Sequence, residues 1–254
     1  MDTEIRRIVL AFMLRDMRTR FGRTHISYMI SIGWPLVHLL FIFAIYVFTH
    51  KLAPVGDDPS IFAFTGLAPY ILCLYPARFT AIGLAQNKPL LLFPVVSPVQ
   101  LIFARAVLES LSAYLVFIIF FTILTLNGIA TMPSDVYLAA SVIVVTIYFS
   151  VGLGVFGTTL VGFHFMAGHL ALVFFILGLY FSSGAVVPLS LAPPTFRELL
   201  WYNPLYQAVA LLRCAYFDGA DASDYSLSYV VLLGSAFLLL GLLGERLFRG
   251  RLLS

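Results

Sequence analysis

Arg105 and Glu109 are the two side chains of this 254-residue sequence that come nearest to working chemistry. They stand four residues apart at one end of an apolar stretch, and Glu109 is the only acid close to the interior of such a stretch. A carboxyl group in lipid could relay protons, because a proton-driven carrier needs protonation changes along its path. At i and i+4, however, opposite charges also meet as an ion pair on a helix surface, and the spacing favours that reading. The five histidines form neither H-x-x-x-H nor H-x-x-E; His164 and His169 are five apart, about 140° around a helix, which suits loop polar groups better than ligands. Cys73 and Cys214 set no disulfide framework or metal cage and read as small buried apolar residues. Spacing supplies no Ser-His-Asp set and no paired carboxylates, so an intramembrane enzyme has little support. A phosphate loop is also missing: Lys51 follows His50 and Lys88 follows Asn87, so neither completes G-x-x-x-x-G-K-[ST]. Any ATP must be hydrolysed on another chain.

The elements that hold these residues are written in the hydropathy. Apolar residues make up 61% of the chain and charged ones 11%, against about a quarter in soluble domains, so the chain belongs in lipid. The net charge of +3, with lysine only at positions 51 and 88, gives no phosphate-binding face, and nucleic acid is not an expected partner. Spans need about 20 uncharged residues. Met29 to Thr49, Ser60 to Ala77 (extending past Arg78 to Ala85), Ser110 to Ser134 and Tyr225 to Gly244 supply four. Val136 to Phe196 carries no formal charge over 61 residues and would be about 90 Å long as one helix, so it must turn back, with the reversal expected at Gly162 to His169. The expectation is an all-α polytopic membrane protein with six transmembrane helices. Six crossings put both termini on one side, which then carries twelve Lys and Arg against Lys51, Arg197 and Arg213 on the other, and predicts cytoplasmic termini. No cleavable signal peptide is expected.

Three segments are not simple spans. Ile5, Ile8, Val9, Phe12 and Met13 follow helical spacing, with Arg6, Arg7 and Arg18 elsewhere on the wheel, the pattern of an amphipathic interface helix within residues 1–28. It serves either as a basic anchor or as a helix that also touches a cytoplasmic partner. In the loop of residues 86–98, Asn87, Lys88, Pro89, Leu90, Leu91, Leu92 and Phe93 form a short apolar helix candidate ending at Pro94. Its leucines are either buried in membrane or form a knob for another protein. Across residues 188–224, Thr195 to Glu198 has capping-box spacing, and Asn203-Pro204 places a cap and an N1 proline, so two short broken helices precede the last span. Trp201, Tyr202 and Tyr206 cluster at their break, either beside a pathway or as an interfacial aromatic belt. Arg78 either snorkels to inner headgroups or guides an acidic cargo.

Taken in order, several strings resemble the membrane subunit of bacterial capsular-polysaccharide exporters, within the ABC-2 class of ABC permeases. They are Leu14-Arg15-Asp16-Met17-Arg18-Thr19-Arg20-Phe21-Gly22, Trp34-Pro35 with His38, Thr65-Gly66-Leu67-Ala68-Pro69, Pro94-Val95-Val96-Ser97-Pro98, Ala104-Arg105-Ala106-Val107-Leu108-Glu109, Val187-Pro188-Leu189, and Tyr202-Asn203-Pro204-Leu205 followed by Arg213. The resemblance covers most of the chain and implies one transmembrane domain over residues 1–254. It also implies a homodimer with two ATP-binding cassette subunits carrying ATP and Mg, exporting lipid-linked polysaccharide through the inner membrane toward periplasmic and outer-membrane export proteins. By the same resemblance, Arg15, Arg18 and residues 87–93 would couple to the ATPase. Trp34, Trp201, Tyr202, Asn203, Pro204, Tyr206 and Arg213 would form the pathway or its outer gate, their rings offering sugars stacking surfaces. The chain departs from the family at Trp34, where an acid is usual before the proline, and at Ala210, where an acid is usual before Arg213. Rival readings are an ABC-2 permease for O-antigen, teichoic acid, drug or haem, and an ion-coupled carrier.

Overall fold

The computed structural model describes residues 10–15, 25–48, 59–93, 95–129, 132–185, 193–217 and 222–253. Arg6, Arg7, Arg18, Pro94 and Pro188 lie outside the described residues, as do Asp57, Asp58, Asp218 and Asp221. Among the described residues every regular element is helical. A helical stretch at residues 10–15 is followed by α1 (His25–Phe48), α2 (Pro59–Gln86), a 3₁₀ turn (Lys88–Leu92) and α3 (Pro98–Leu126). Then come α4 (Val136–Phe163), α5 (Phe165–Phe181), α6 (Pro194–Leu200), α7 (Pro204–Tyr216) and α8 (Leu227–Leu253). Four of these, α2, α3, α4 and α8, are long and apolar enough to cross a membrane, and Ile32–Ile45 of α1 and Phe165–Phe181 are shorter apolar helices.

The long charge-free run divides where the glycines and histidines predict. His164 takes an extended conformation (φ −155°, ψ 107°), and its Nδ1 accepts from the Ala167 N–H at 3.3 Å, so it caps α5. The start of α3 corrects the hydropathy reading. Ser97 and Gln100 form a reciprocal capping box (3.3 and 3.0 Å), Pro98 follows at N1, and the helix begins twelve residues before Ser110. A count of uncharged residues stops at Glu109; a helix does not, because its backbone bonds are indifferent to the charge outside. Thr195 is likewise not a cap, since α6 already begins at Pro194, which suits a position where no N–H is required.

α2 is the buried centre, touched by α1, α3, α4, α5 and α7 and buried along nearly its whole length. Lipid provides no hydrophobic drive between helices, so close backbone approach and dispersion must hold them. Small residues allow it: a Cβ on Gly154 of α4 would stand 2.8–3.0 Å from Thr80 and Ala77 of α2. On the opposite face of α4, Gly152 meets the backbone of Gly234 in α8, and Gly241 of α8 meets that of Val155 and Phe156. Aromatic rings pack between α2, α3 and α7, where Phe64 sits 5.7–5.8 Å from the ring centroids of Phe117, Phe120, Phe121 and Tyr216. Cys73 is buried and Cys214 is half-buried.

Candidate functional site

The end of the bundle that carries residues 86–98 is built from two segments far apart in sequence. The stretch 10–15 lies against the 3₁₀ turn: Arg15 Nη1 donates to Asn87 Oδ1 at 3.3 Å, and Phe12 and Met13 line a cleft with Asn87, Leu90 and Leu101. Asn87 is buried and holds its place by donating Nδ2 to the Gly83 carbonyl at 2.9 Å. Pro89 is the second residue of the turn and Lys88, the first, is half-buried. The four apolar residues that follow divide into two pairs. Leu90 and Leu91 pack with Phe12 and Val96 against the cluster of Leu84, Leu101, Ile102 and Val155. Leu92 and Phe93 are 83% and 59% exposed, and Val95 is exposed beside them. Thus the knob consists of Leu92 and Phe93, on a base of Leu90 and Leu91.

Under this base lies the Arg105–Glu109 pair. Nε and Oε1 are 3.1 Å apart and the side chains are 3% and 5% exposed, so the expected surface ion pair is a buried one. The cause is the early start of α3, which sets Arg105 against α2. A Cβ on Gly83 would meet the Arg105 Cγ at 2.7 Å, and Arg105 Nη2 reaches Gln86 Oε1 at 3.4 Å. A buried pair of this kind is weak evidence for stability, yet neither ion tolerates losing the other.

At the opposite end, the break between α6 and α7 brings Trp201, Tyr202 and Tyr206 together with Glu198, Asp224 and Tyr225 around a groove. Asn203 is the cap that sequence spacing predicts, and more. Its Oδ1 accepts from the N–H groups of Leu205 (2.8 Å) and Tyr206 (3.3 Å), while Nδ2 donates to the Leu179 carbonyl (2.7 Å) and Ser182 Oγ (2.8 Å). Pro204 is buried at N1. α7 is thereby tied to the end of α5. Trp201 Nε1 donates to the Asp224 carbonyl at 2.8 Å, and Tyr229 Oη donates to the Tyr202 carbonyl at 2.6 Å. Burial and a hydrogen bond with Tyr206 push the Tyr225 phenol well above its ordinary value. Gln207, which spacing and hydropathy do not single out, is 0% exposed; it donates to the Trp201 carbonyl at 2.7 Å and accepts from the Ser226 N–H at 2.8 Å, joining the break to the start of α8. Its one signal in the sequence is a glutamine inside an apolar helix.

Arg213 and Trp34 do not line that groove. Arg213 donates Nη1 to the Gly184 carbonyl at 3.0 Å, and its guanidinium carbon lies 3.7 Å from the Phe62 ring centroid. Trp34 lies on the outer face of α1 and lines a separate groove with His38, Tyr75 and Arg78. No cluster of metal-ligating side chains occurs among the described residues.

No protein-family model matches the chain. It is 28% identical over 241 residues to the polysialic acid transport protein KpsM of Escherichia coli, covering 94% of this chain and 93% of that one. It is also 28% identical over 244 residues to the capsule polysaccharide export inner-membrane protein CtrC of Neisseria meningitidis, covering 93% and 89%. To BexB of Haemophilus influenzae, which bears the same description, it is 26% identical over 239 residues at 93% and 89% coverage. The resemblance seen in the short strings is thus accompanied by similarity over 93–94% of the chain, and the chain is similar to a polysialic acid transport protein and to capsule polysaccharide export inner-membrane proteins.

Proposed function

We propose that the chain is the membrane-spanning permease subunit of an ABC exporter that moves lipid-linked capsular polysaccharide across the bacterial inner membrane. In this reading α1 to α5 and α8 are the six spans, both termini are cytoplasmic, and two copies form the conduit. It is a transport subunit with no nucleotide chemistry of its own. A separate ATPase pair works from the cytoplasmic side. The observation that carries this reading is the exposed Leu92–Phe93 knob on a packed base, braced by the Arg15–Asn87 contact. An apolar knob of this kind has no use in water and suits a groove on a second protein. Arg18 would extend the same coupling surface. The names of the relatives supply the cargo class, and the ring cluster of Trp201, Tyr202 and Tyr206 supplies flat surfaces for a polymer that must slide.

Affinity purification of the full chain from its native host tests the reading. An ATPase subunit is expected to co-purify, and Leu92→Asp with Phe93→Asp is expected to weaken that association at least tenfold while the chain stays folded. Co-purification undiminished in the folded double variant, or uphill transport by the chain reconstituted alone, would refute it.

A further inference from the structure

The α6–α7 break and the segment leading into α8 are two rims of one groove, and side-chain bonds tie them together. Gln207 joins the Trp201 carbonyl to the Ser226 N–H, Trp201 Nε1 donates to the Asp224 carbonyl, and Tyr229 Oη donates to the Tyr202 carbonyl. The indole N–H of Trp201 is thereby spent on the frame, and that residue offers a ligand only its ring. The rims are set before anything enters, which spares the ordering cost that a flexible site adds to binding.

The groove holds about 460 Å³ and is lined by Trp201, Tyr202, Tyr206 and Tyr225 with Glu198 and Asp224. Its volume equals roughly fifteen waters, enough for one or two sugar rings. Trp201 and Tyr202 meet at 82°, and Tyr206 and Tyr225 at 78°, so the rings form two corners in place of one platform. Successive units of a polymer, tilted against each other, each find a face there. The faces of aromatic rings are the negative part of their quadrupole and attract the C–H side of a pyranose. Glu198 and Asp224 are exposed, and as carboxylates they only accept, which suits the O–H groups on the rim of that ring. Among the described residues no Lys or Arg lines the groove. Ring faces and carboxylates therefore share one sign, and both repel an anion.

We propose that this groove is a charge filter on the cargo: it takes uncharged sugar rings, stacked on Trp201, Tyr202 and Tyr206 with hydroxyls on Glu198 and Asp224, and turns away rings that carry a carboxylate. The rings supply affinity for any pyranose, and the two acids supply the repulsive element that specificity requires. As a statement about cargo, this rests on the exporter reading of the same ring cluster.

The chain has two tryptophans, so Trp34→Phe, at an exposed ring of a separate groove, leaves Trp201 as the sole indole reporter. Its emission is titrated on the full chain in polyoxyethylene micelles, which carry no sugar, at low salt. The probes are α-1,4-galactotetraose and α-1,4-tetragalacturonate, which differ only in the oxidation of C6. Saturable binding of the neutral tetramer is expected, at least fivefold tighter than that of the acidic one. Tyr202→Ala removes a ring that is 64% exposed and is expected to weaken the neutral tetramer at least threefold. Glu198→Gln with Asp224→Asn keeps acceptors but removes both charges, and is expected to cut the preference for the neutral tetramer to less than half. No saturable change, a preference below fivefold, a smaller loss in Tyr202→Ala, or more than half the preference kept in the folded double variant overturns the proposal. The comparison of the two tetramers needs neither variant, so it stands if one fails to fold. It also needs no ATPase, so failure of co-purification and failure of the charge filter are separate results.

Discussion

Glu109→Gln leaves the Arg105 guanidinium buried beside a neutral amide. In the parent chain the two charges are 3.1 Å apart with both side chains nearly inaccessible, and Gln86 is a neutral acceptor at 3.4 Å that does not replace the lost anion. Removing one partner of such a pair costs about 3–5 kcal/mol, whereas exchanging both for apolar side chains of similar volume is close to neutral. Arg105→Met with Glu109→Met keeps the stem that abuts Gly83 and removes both charges. At about 2–4 °C per kcal/mol for a chain of this size, the single variant should melt about 6–20 °C below the parent, and the double variant within a few degrees of it. Thermal unfolding in detergent, followed by size-exclusion chromatography of the fluorescently tagged chain, measures both. A single variant that melts within about 2 °C of the parent, or a double variant that melts no higher than the single one, would show that the two charges are not held as a desolvated pair.

Other perturbations separate positioning from contact. Leu91→Asp is expected to lower the melting temperature because Leu91 packs on the inner cluster, while Leu92→Asp should leave it unchanged; equal melting temperatures would contradict the division of the knob. Asn203→Ala removes a cap and two bonds to the end of α5, a loss of about 2–3 kcal/mol readable in the same melt. Gln207→Leu should free the α6–α7 break from the start of α8 without unfolding the bundle. Faster amide exchange at Ser226 would register this, and unchanged exchange would count against it. Gly152→Leu sets a side chain into the backbone of Gly234 and is expected to abolish the monodisperse folded species, whereas Gly178→Leu, with open space around it, is expected to be tolerated.

The chain-local features of this protein are legible in its amino-acid sequence. Apolar run lengths, the break near His164, the Asn203 cap with Pro204 and the short element at Lys88–Leu92 all depend on neighbours within a few positions, where hydropathy, capping and proline geometry act directly. Arg105 and Glu109 can be paired from their spacing but not buried, because burial comes from α2 and from a capping box that a count of uncharged residues passes over. Leu90 to Phe93 look alike in sequence; only packing of Leu90 and Leu91 against Phe12 and the cluster supplied by α2, α3 and α4 divides them into base and knob. Gln207 and the Arg78–His169 bond are out of reach for the same reason, since their partners lie on other helices, 91 positions away in the case of Arg78. Side-chain type and local spacing determine which helices form, but a polar group's role inside lipid is set by whichever helix packs beside it, and that is a property of the assembled bundle alone.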